Sequence, residues 1–330
     1  MEQKKGRAEM TDTKQERSGG GIGLTFAGGG GKGAYQIGVW KYLREIGLEK
    51  KIEAVSGTSV GALNAALFAA GEYRSAERIW QNMAPEQVLT LKTLEEKLSF
   101  RLPEPDGVID LPDPGSSLKL EFKKDLLQWL NTWKSDGLIS QEGLRDIIAS
   151  SGAVEKIVRG SMPCFVTCTE VEPEVRCNRF DLRNHDSGEA EKLLLATAAI
   201  PYVFDPVEVM GKSFYDGGIS EVGDNVPVAP LFRIGMEKVI AVYLKTSPDM
   251  SANSRYREDT VEIIPSESIG NFFTGTLNFT KEHALELMEF GYLDAKERYG
   301  DQLRALLQCD SHLDPEMAAR EEERMRSENG

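Results

Sequence analysis

Residues 22–70 decide the fold: IGLTF (22–26), AGGGGKG (27–33), AYQIGVWKYLREIGLEKK (34–51) and IEAVSGTSVGALNAALFAA (52–70). Ile22–Phe26 is a short apolar run that stops at a glycine cluster, which predicts a buried strand. A helix is predicted from Gly33 to Ile46, because Val39, Leu43 and Ile46 recur at i, i+4 and i+7 and Gly47 stands at the C-cap position. Ile52–Val55 reads as a second strand. Val60–Ala70 is apolar nearly all round and reads as a central helix. The order β-α-β-α predicts the α/β class: a mostly parallel sheet with helices on its faces.

Outward from this stretch the pattern changes. Residues 1–21 carry charges without periodicity and end in Gly19-Gly20-Gly21, the composition of a disordered N-terminal tail. Residues 72–160 read as mainly helical, a helical insertion or cap, with a Pro/Gly loop at Leu102–Ser117 and an amphipathic stripe of Leu126, Leu127, Leu130 and Trp133. Strands return at Pro163–Val171 and Val175–Leu182, and a turn centred on Pro173 would set Cys168 opposite Cys177. A helix follows over Glu189–Ala198, then a strand pair, Val207–Met210 and Ser213–Tyr215, turning at Gly211-Lys212. Lys238–Leu244 and Thr260–Ile264 read as strands and Thr280–Arg298 as a long amphipathic helix. The expected organisation is one main domain over 22–232, strands and a helix of 233–309 packed on the same domain, and an acidic tail over 310–330.

The chain has 330 residues, of which 39 are Lys or Arg and 53 are Asp or Glu, for a net charge of −14. Such acidity argues against nucleic acid as a partner, since phosphate binding needs clustered basic side chains. It equally disfavours electrostatic capture by anionic lipid, so a membrane contact is expected to be apolar, local and transient. The longest apolar stretches, Val60–Gly71 and Leu193–Phe204, hold 12 residues each, short of the roughly 20 a spanning helix needs. The N-terminus lacks an apolar signal region and neither end carries a lipidation motif, so a cytoplasmic protein is expected. Four cysteines do not make a disulfide scaffold, and Cys164, Cys168 and Cys177 read as small core side chains. With no D-x-D-x-D-G loop and no histidine pair at ligand spacing, neither a metal nor another cofactor is expected. The oligomeric state has no signature in the sequence.

Three short motifs could carry chemistry. Gly28-Gly29-Gly30-Gly31-Lys32-Gly33 lies between a strand and a helix, where glycines bring N–H groups close to a negatively charged ligand. A P-loop is excluded because Gly33 stands where Ser or Thr is required. A dinucleotide site stays formally open, with Glu53 at the acidic position, beside the plain reading of a tight turn. Gly57-Thr58-Ser59-Val60-Gly61 has the G-x-S-x-G pattern in which a strained strand-to-helix turn exposes a serine. Of the histidines a serine could use, His185 sits in a polar turn, His283 on the charged start of a helix and His312 in the acidic tail. All three read as solvated surface residues. Asp216-Gly217-Gly218 directly follows a strand, and an aspartate there can approach another loop closely.

In this order and spacing the motifs resemble the patatin-like phospholipase family. Ala196-Thr197-Ala198-Ala199-Ile200-Pro201 with Phe204, and Asp224-Asn225-Val226-Pro227, resemble two further family segments. Thr197 stands where the family usually has serine, and five residues separate Gly218 from Asp224, a longer loop than usual. The resemblance runs over about Leu24–Leu231 and implies a three-layer sandwich with a central, mostly parallel sheet. It implies a serine lipid acyl hydrolase of phospholipase A or lysophospholipase type, acting on lipid or lysolipid through a Ser–Asp dyad without histidine. Ser59 would be the nucleophile and Asp216 the base. Gly29, Gly30 and Gly31 would form the oxyanion hole, supported by Gly28, Lys32, Gly33, Gly57, Gly61, Gly217 and Gly218. Lys32 matches a basic family position and could meet a phosphate head group, steady the loop or simply be exposed. The alternatives are a non-catalytic scaffold of the same fold, a nucleotide-binding oxidoreductase using the glycine loop, and an α/β-hydrolase using His283.

Overall fold

The computed structural model describes residues 21–88, 90–91, 139–171, 174–201, 203–218, 223–248, 251, 253–308, 323, 324 and 327. In chain order, β1 (Gly21–Phe26) passes through a 3-10 turn (Gly30–Gly33) into α1 (Ala34–Glu45), β2 (Ile52–Thr58) and α2 (Val60–Ala69). Helices α3 (Tyr73–Asn82) and α4 (Pro85–Val88) lead to a small antiparallel ladder, β3 (Thr90–Leu91) with β4 (Ile139–Ser140). Next come α5 (Glu142–Ser151), α6 (Ala153–Arg159), β5 (Cys164–Glu170), β6 (Arg176–Asp181) and α7 (Ser187–Thr197). The chain continues through β7 (Val207–Val209), β8 (Lys212–Asp216), α8 (Ala229–Arg233), β9 (Met236–Val242), β10 (Thr260–Ile263), α9 (Lys281–Glu297) and α10 (Gly300–Ala305). The stripe at 126–133, the loop at 102–117 and Cys309 lie outside the described residues, as do residues 1–20 of the tail expected at the N-terminus. Gly21, read as the end of that tail, opens β1 instead.

The large sheet runs β10-β9-β1-β2-β5, all parallel, and then turns antiparallel through β8 and β7, with β6 also on β5. Strand β1 is buried along its length, as expected of a strand covered on both faces. Phe26 packs edge-on against Phe68 of α2, whereas Gly23, of opposite parity, faces Leu231 of α8. Helices therefore cover both faces of the sheet, the α/β architecture predicted from residues 22–70. Helix α1 is capped by Ile46 and followed by Gly47 in the left-handed conformation (φ 80°), the glycine position such a helix end favours. Helix α9 docks on α1, where the buried Tyr35 hydroxyl donates to Asp294 at 2.9 Å.

One junction in this sheet positions the site. Strand β6 occupies one edge of β5 over Phe165–Glu170, so everything else that pairs with β5 must use its other edge. Strand β2 takes the first half of that edge, reaching Thr58 opposite Thr167. Strand β8 takes the second half from the opposite direction, and its last residue, Asp216, stands opposite Cys168. The C-terminal ends of β2 and β8 thus meet head to head at adjacent residues of β5.

Two register expectations need correction. Cys168 pairs with Asn178 and Cys177 with Thr169, so the two cysteines are offset by one residue and point to opposite faces. The β7–β8 hairpin turns at Met210-Gly211, one residue earlier than predicted; both residues have positive φ (51° and 75°), as a two-residue hairpin loop demands.

Candidate active site

Ser59 occupies the tight connection from β2 to α2 with φ 56° and ψ −133°. It is one of two non-glycine residues with positive φ among those described, the other being Met210 in the hairpin turn. A residue held there costs about 1–3 kcal/mol and persists only when its surroundings hold it. The flanking glycines are part of that restraint. A Cβ on Gly57 would lie 2.4 Å from the Gly61 backbone, and one on Gly61 would lie 2.2 Å from the Phe26 carbonyl oxygen. The first turn of α2 can therefore sit on the ends of β1 and β2 only because neither position has a side chain. The Ser59 N–H donates to the Thr197 hydroxyl at 2.9 Å, and that hydroxyl donates to the Thr167 carbonyl at 2.5 Å. Ser59 is thereby tied across α7 to β5.

Asp216 is buried and lies close enough to Ser59 for the serine side chain to favour its charged form. Burial pushes its pKa up to about 6, against the Ser59 side chain and the Gly218 N–H, which favour the charged form. The Gly218 N–H reaches Oδ1 at 2.8 Å, and the Asp216 N–H donates to the Ala199 carbonyl at 2.9 Å. Gly217 presses on β5, where a Cβ would stand 2.3 Å from the Thr167 carbonyl oxygen.

The glycine loop lies beside Ser59. A Cβ on Gly28 would be 3.1 Å from the serine Cβ. The Gly28 N–H donates to the Asn225 carbonyl and the Lys32 N–H to the Gly29 carbonyl; those of Gly29, Gly30 and Gly31 make no such backbone bond among the described residues. Gly30 has φ 58° and lines the same cleft as Ser59. Residues 275–278 cover the outer face of the loop: Cβ atoms on Gly30 and Gly31 would fall 2.1 Å from the Thr276 and 2.0 Å from the Asn278 carbonyl oxygens. Gly33 packs on Val60 and Trp80. Lys32 is buried under Gly275, and burial together with the nearby Lys245 lowers its pKa; it is not the exposed lysine that was one of its readings.

Ser59 and Gly30 open into a cleft lined by Val60, Leu63 and Leu67 of α2 and by apolar side chains of α3, α5 and residues 198–204 and 277–279. The polar groups of Asn64 are already committed, since its amide nitrogen donates to Gly33 and Gln36 and its oxygen accepts from Trp80. Among the described residues no histidine lines this cleft. His185 is half-buried against Phe180 and bonded to Glu189. His283 is half-buried with its Nε2 enclosed, and burial lowers its pKa. The surface reading of both is corrected accordingly; His312 lies outside the described residues.

Two residues quoted only as part of motifs hold the loops together. Asn225 fills the space between Gly28 and Gly218: its Oδ1 stands 2.6 and 2.4 Å from where their Cβ atoms would be, and its Nδ2 donates to the Gly28 carbonyl at 3.3 Å. Next to it, Asp224 is paired with Arg179 of β6 at 2.7 Å and its carbonyl accepts from the Thr58 hydroxyl. Nothing local in the sequence marks Arg179 for this role, because the pairing crosses from one strand to a distant loop.

Comparison with known proteins fits this arrangement. A family model described as patatin-like phospholipase matches residues 24–232. The lysophospholipase nte1 of Aspergillus terreus (strain NIH 2624 / FGSC A1156) is 48% identical over 48 residues, 14% of this chain; the match spans only 3% of that relative. VipD from Legionella pneumophila has a similar fold, with a TM-score of 0.52 and 14% identity over 86% of this chain and 67% of its own. The type III effector ExoU is more distant, with a TM-score of 0.43 and 18% identity over 91% of this chain and 58% of its own; it has also been solved with SpcU, from the type III secretion system of Pseudomonas aeruginosa. With the family model covering most of the chain and the same sheet-and-helix fold in VipD, the chain belongs to the patatin-like phospholipase family.

Proposed function

We propose that this protein hydrolyses carboxylic esters of lipids through a Ser59–Asp216 dyad. The observation that carries the reading is the pairing of a strained, buried Ser59 with an aspartate whose pKa is lifted to about 6, at the floor of an apolar cleft. An ordinary carboxylate is too weak a base for a hydroxyl, and the upward shift moves Asp216 toward the pH at which it must work. Ser59 Oγ attacks the ester carbonyl as Asp216 takes its proton. The N–H groups of Gly29, Gly30 and Gly31 receive the developing oxyanion, where loss of one donor typically costs ~10²–10³ in rate. Collapse releases the alcohol, protonated by Asp216, and leaves an acyl-enzyme. Water, deprotonated by the same carboxylate, then clears it.

The apolar cleft suits an acyl chain better than a charged substrate. Among the described residues no helix is long and apolar enough to cross a membrane, and the reading has the enzyme meet its lipid at a membrane surface only transiently. The free thiols of Cys164, Cys168 and Cys177 suit a cytoplasmic setting. The test is a lipid panel read by mass spectrometry with wild type and Ser59→Ala, together with fluorophosphonate labelling. Labelling at Ser59 and loss of hydrolysis in the variant are expected. Labelling elsewhere, with hydrolysis intact in Ser59→Ala, would overturn the assignment.

A further inference from the structure

The cleft that holds Ser59 shares part of its lining with a second cavity. This second cavity is partly open and lies among α2, α5, α6 and α7, lined by Ala66, Ile148, Ser151, Ala153 and Leu194. Four residues, Leu63, Leu67, Ile79 and Ile147, line both cavities. Leu63 and Leu67 are one helical turn apart on the face of α2 that begins at Ser59, and Leu67 lies about 12 Å along the helix axis from the serine. The path from nucleophile to second cavity therefore follows one side of α2.

Among the described residues the second cavity has one polar side chain, and it is occupied: the Ser151 hydroxyl donates to the Ile148 carbonyl at 2.6 Å and accepts from the Ala153 N–H at 3.1 Å. With no free polar partner among the described residues, water gains little there and an apolar ligand is favoured. A ligand that reacts at Ser59 and continues along Leu63 and Leu67 must be long, narrow and apolar.

Resting on the reading of Ser59 as the nucleophile, we infer that the second cavity receives the distal part of the substrate's acyl chain. The four shared residues are the passage, and the volume beyond them sets the acyl length that is accepted. Ala66 and Ala153 line only the far cavity, so larger side chains there shorten the channel without touching the reacting groups. Ile148→Ala lengthens it.

The test compares p-nitrophenyl octanoate with p-nitrophenyl hexadecanoate as substrates for wild type, Ala66→Leu, Ala153→Leu and Ile148→Ala. In parallel, octanoate and hexadecanoate binding is measured by calorimetry on the Ser59→Ala background, with circular dichroism melts to confirm folding. Each filling variant that folds is expected to lower the hexadecanoate-to-octanoate ratio about tenfold or more in both measurements, with octanoate values retained. Ile148→Ala is expected to raise the ratio. Unchanged ratios in folded filling variants would overturn the inference, and so would an equal loss on both chains. If wild type cleaved neither ester while fatty-acid binding kept its length dependence and its response to filling, the cavity assignment would stand and the hydrolase reading would fall. If both filling variants failed to fold, Ile148→Ala would decide by the same two ratios, with no change counting against the inference.

Discussion

Burial lifts the Asp216 pKa from 3.8 to about 6 although the Ser59 side chain and the Gly218 N–H pull it down, and this couples activity and stability in opposite senses. Because the folded-state value is the higher one, the contribution to stability is fully present below the unfolded value of 3.8 and is lost as pH rises through about 6. At neutral pH the ionised carboxylate then costs the fold on the order of 3 kcal/mol. Activity needs that same ionised form. The proposed mechanism predicts that kcat/KM falls below about pH 6 as one proton is taken up, a profile readable with a soluble ester. Asp216→Asn should lose on the order of 10²–10⁴ in kcat, yet melt higher than wild type at pH 8 and lose that advantage at pH 4. A melting temperature equally lowered at both pH values would mean that the carboxylate is structural. Gly61 allows an equally local prediction. Gly61→Ala must displace the Phe26 carbonyl oxygen, 2.2 Å from the new methyl, so denaturant titration should show a loss of roughly 1–3 kcal/mol or more.

The element that restrains the nucleophile is the C-terminal end of α7. Thr197 is fully buried and its hydroxyl bridges the Ser59 N–H and the Thr167 carbonyl. Serine keeps that hydroxyl, which explains why the departure from the usual family residue is mild. Valine keeps the shape and removes it, leaving a buried N–H unpaired at a cost of roughly 1–3 kcal/mol. Thr197→Val should therefore lower stability by that amount and reduce kcat, with Thr197→Ser close to wild type in both. Equal behaviour of the two variants would separate the hydroxyl from the positioning of Ser59. Asn225 acts between loops rather than within one, since its side chain lies between Gly28 and Gly218. Asn225→Ala should lower kcat more than it raises KM in steady-state kinetics, because both the glycine loop and the Asp216 loop lose a common spacer.

At the scale of the molecule, a net charge of −14 works against an anionic lipid surface beyond the reach of any single contact. Repulsion of this kind is screened by salt, with a Debye length of about 30 Å at 0.01 M and about 8 Å at 0.15 M. Hydrolysis of phosphatidylserine-rich vesicles is therefore expected to rise between these ionic strengths, while hydrolysis of a neutral soluble ester stays level. A fall on the vesicles with added salt would mean that a local basic surface attracts the lipid instead. Residues 269–279 also border the cleft. They carried no motif, yet Thr276, Leu277 and Phe279 line the cleft and the carbonyls of Thr276 and Asn278 abut the glycine loop.

The features that residue pattern alone foretells lie within short spans of chain. The β-α-β-α order of residues 22–70, the Gly47 cap and the G-x-S-x-G turn follow from hydrophobic period and glycine geometry, which act over a few residues. The candidate residues Ser59 and Asp216 were legible as motifs, whereas their meeting was expected only from the family resemblance and not from any local pattern. It depends on β2 and β8 arriving from opposite directions on one edge of β5, with β6 holding the other. A shift of one residue in strand pairing is invisible to composition, and it set Cys177 beside Thr169 rather than Cys168. The raised pKa of Asp216, the Arg179–Asp224 pair, the Asn225 spacer and the second cavity likewise arise where segments distant in sequence exclude water together. Periodicity and turn chemistry are local properties, whereas burial and register belong to the packed chain, and only tertiary structure could decide them.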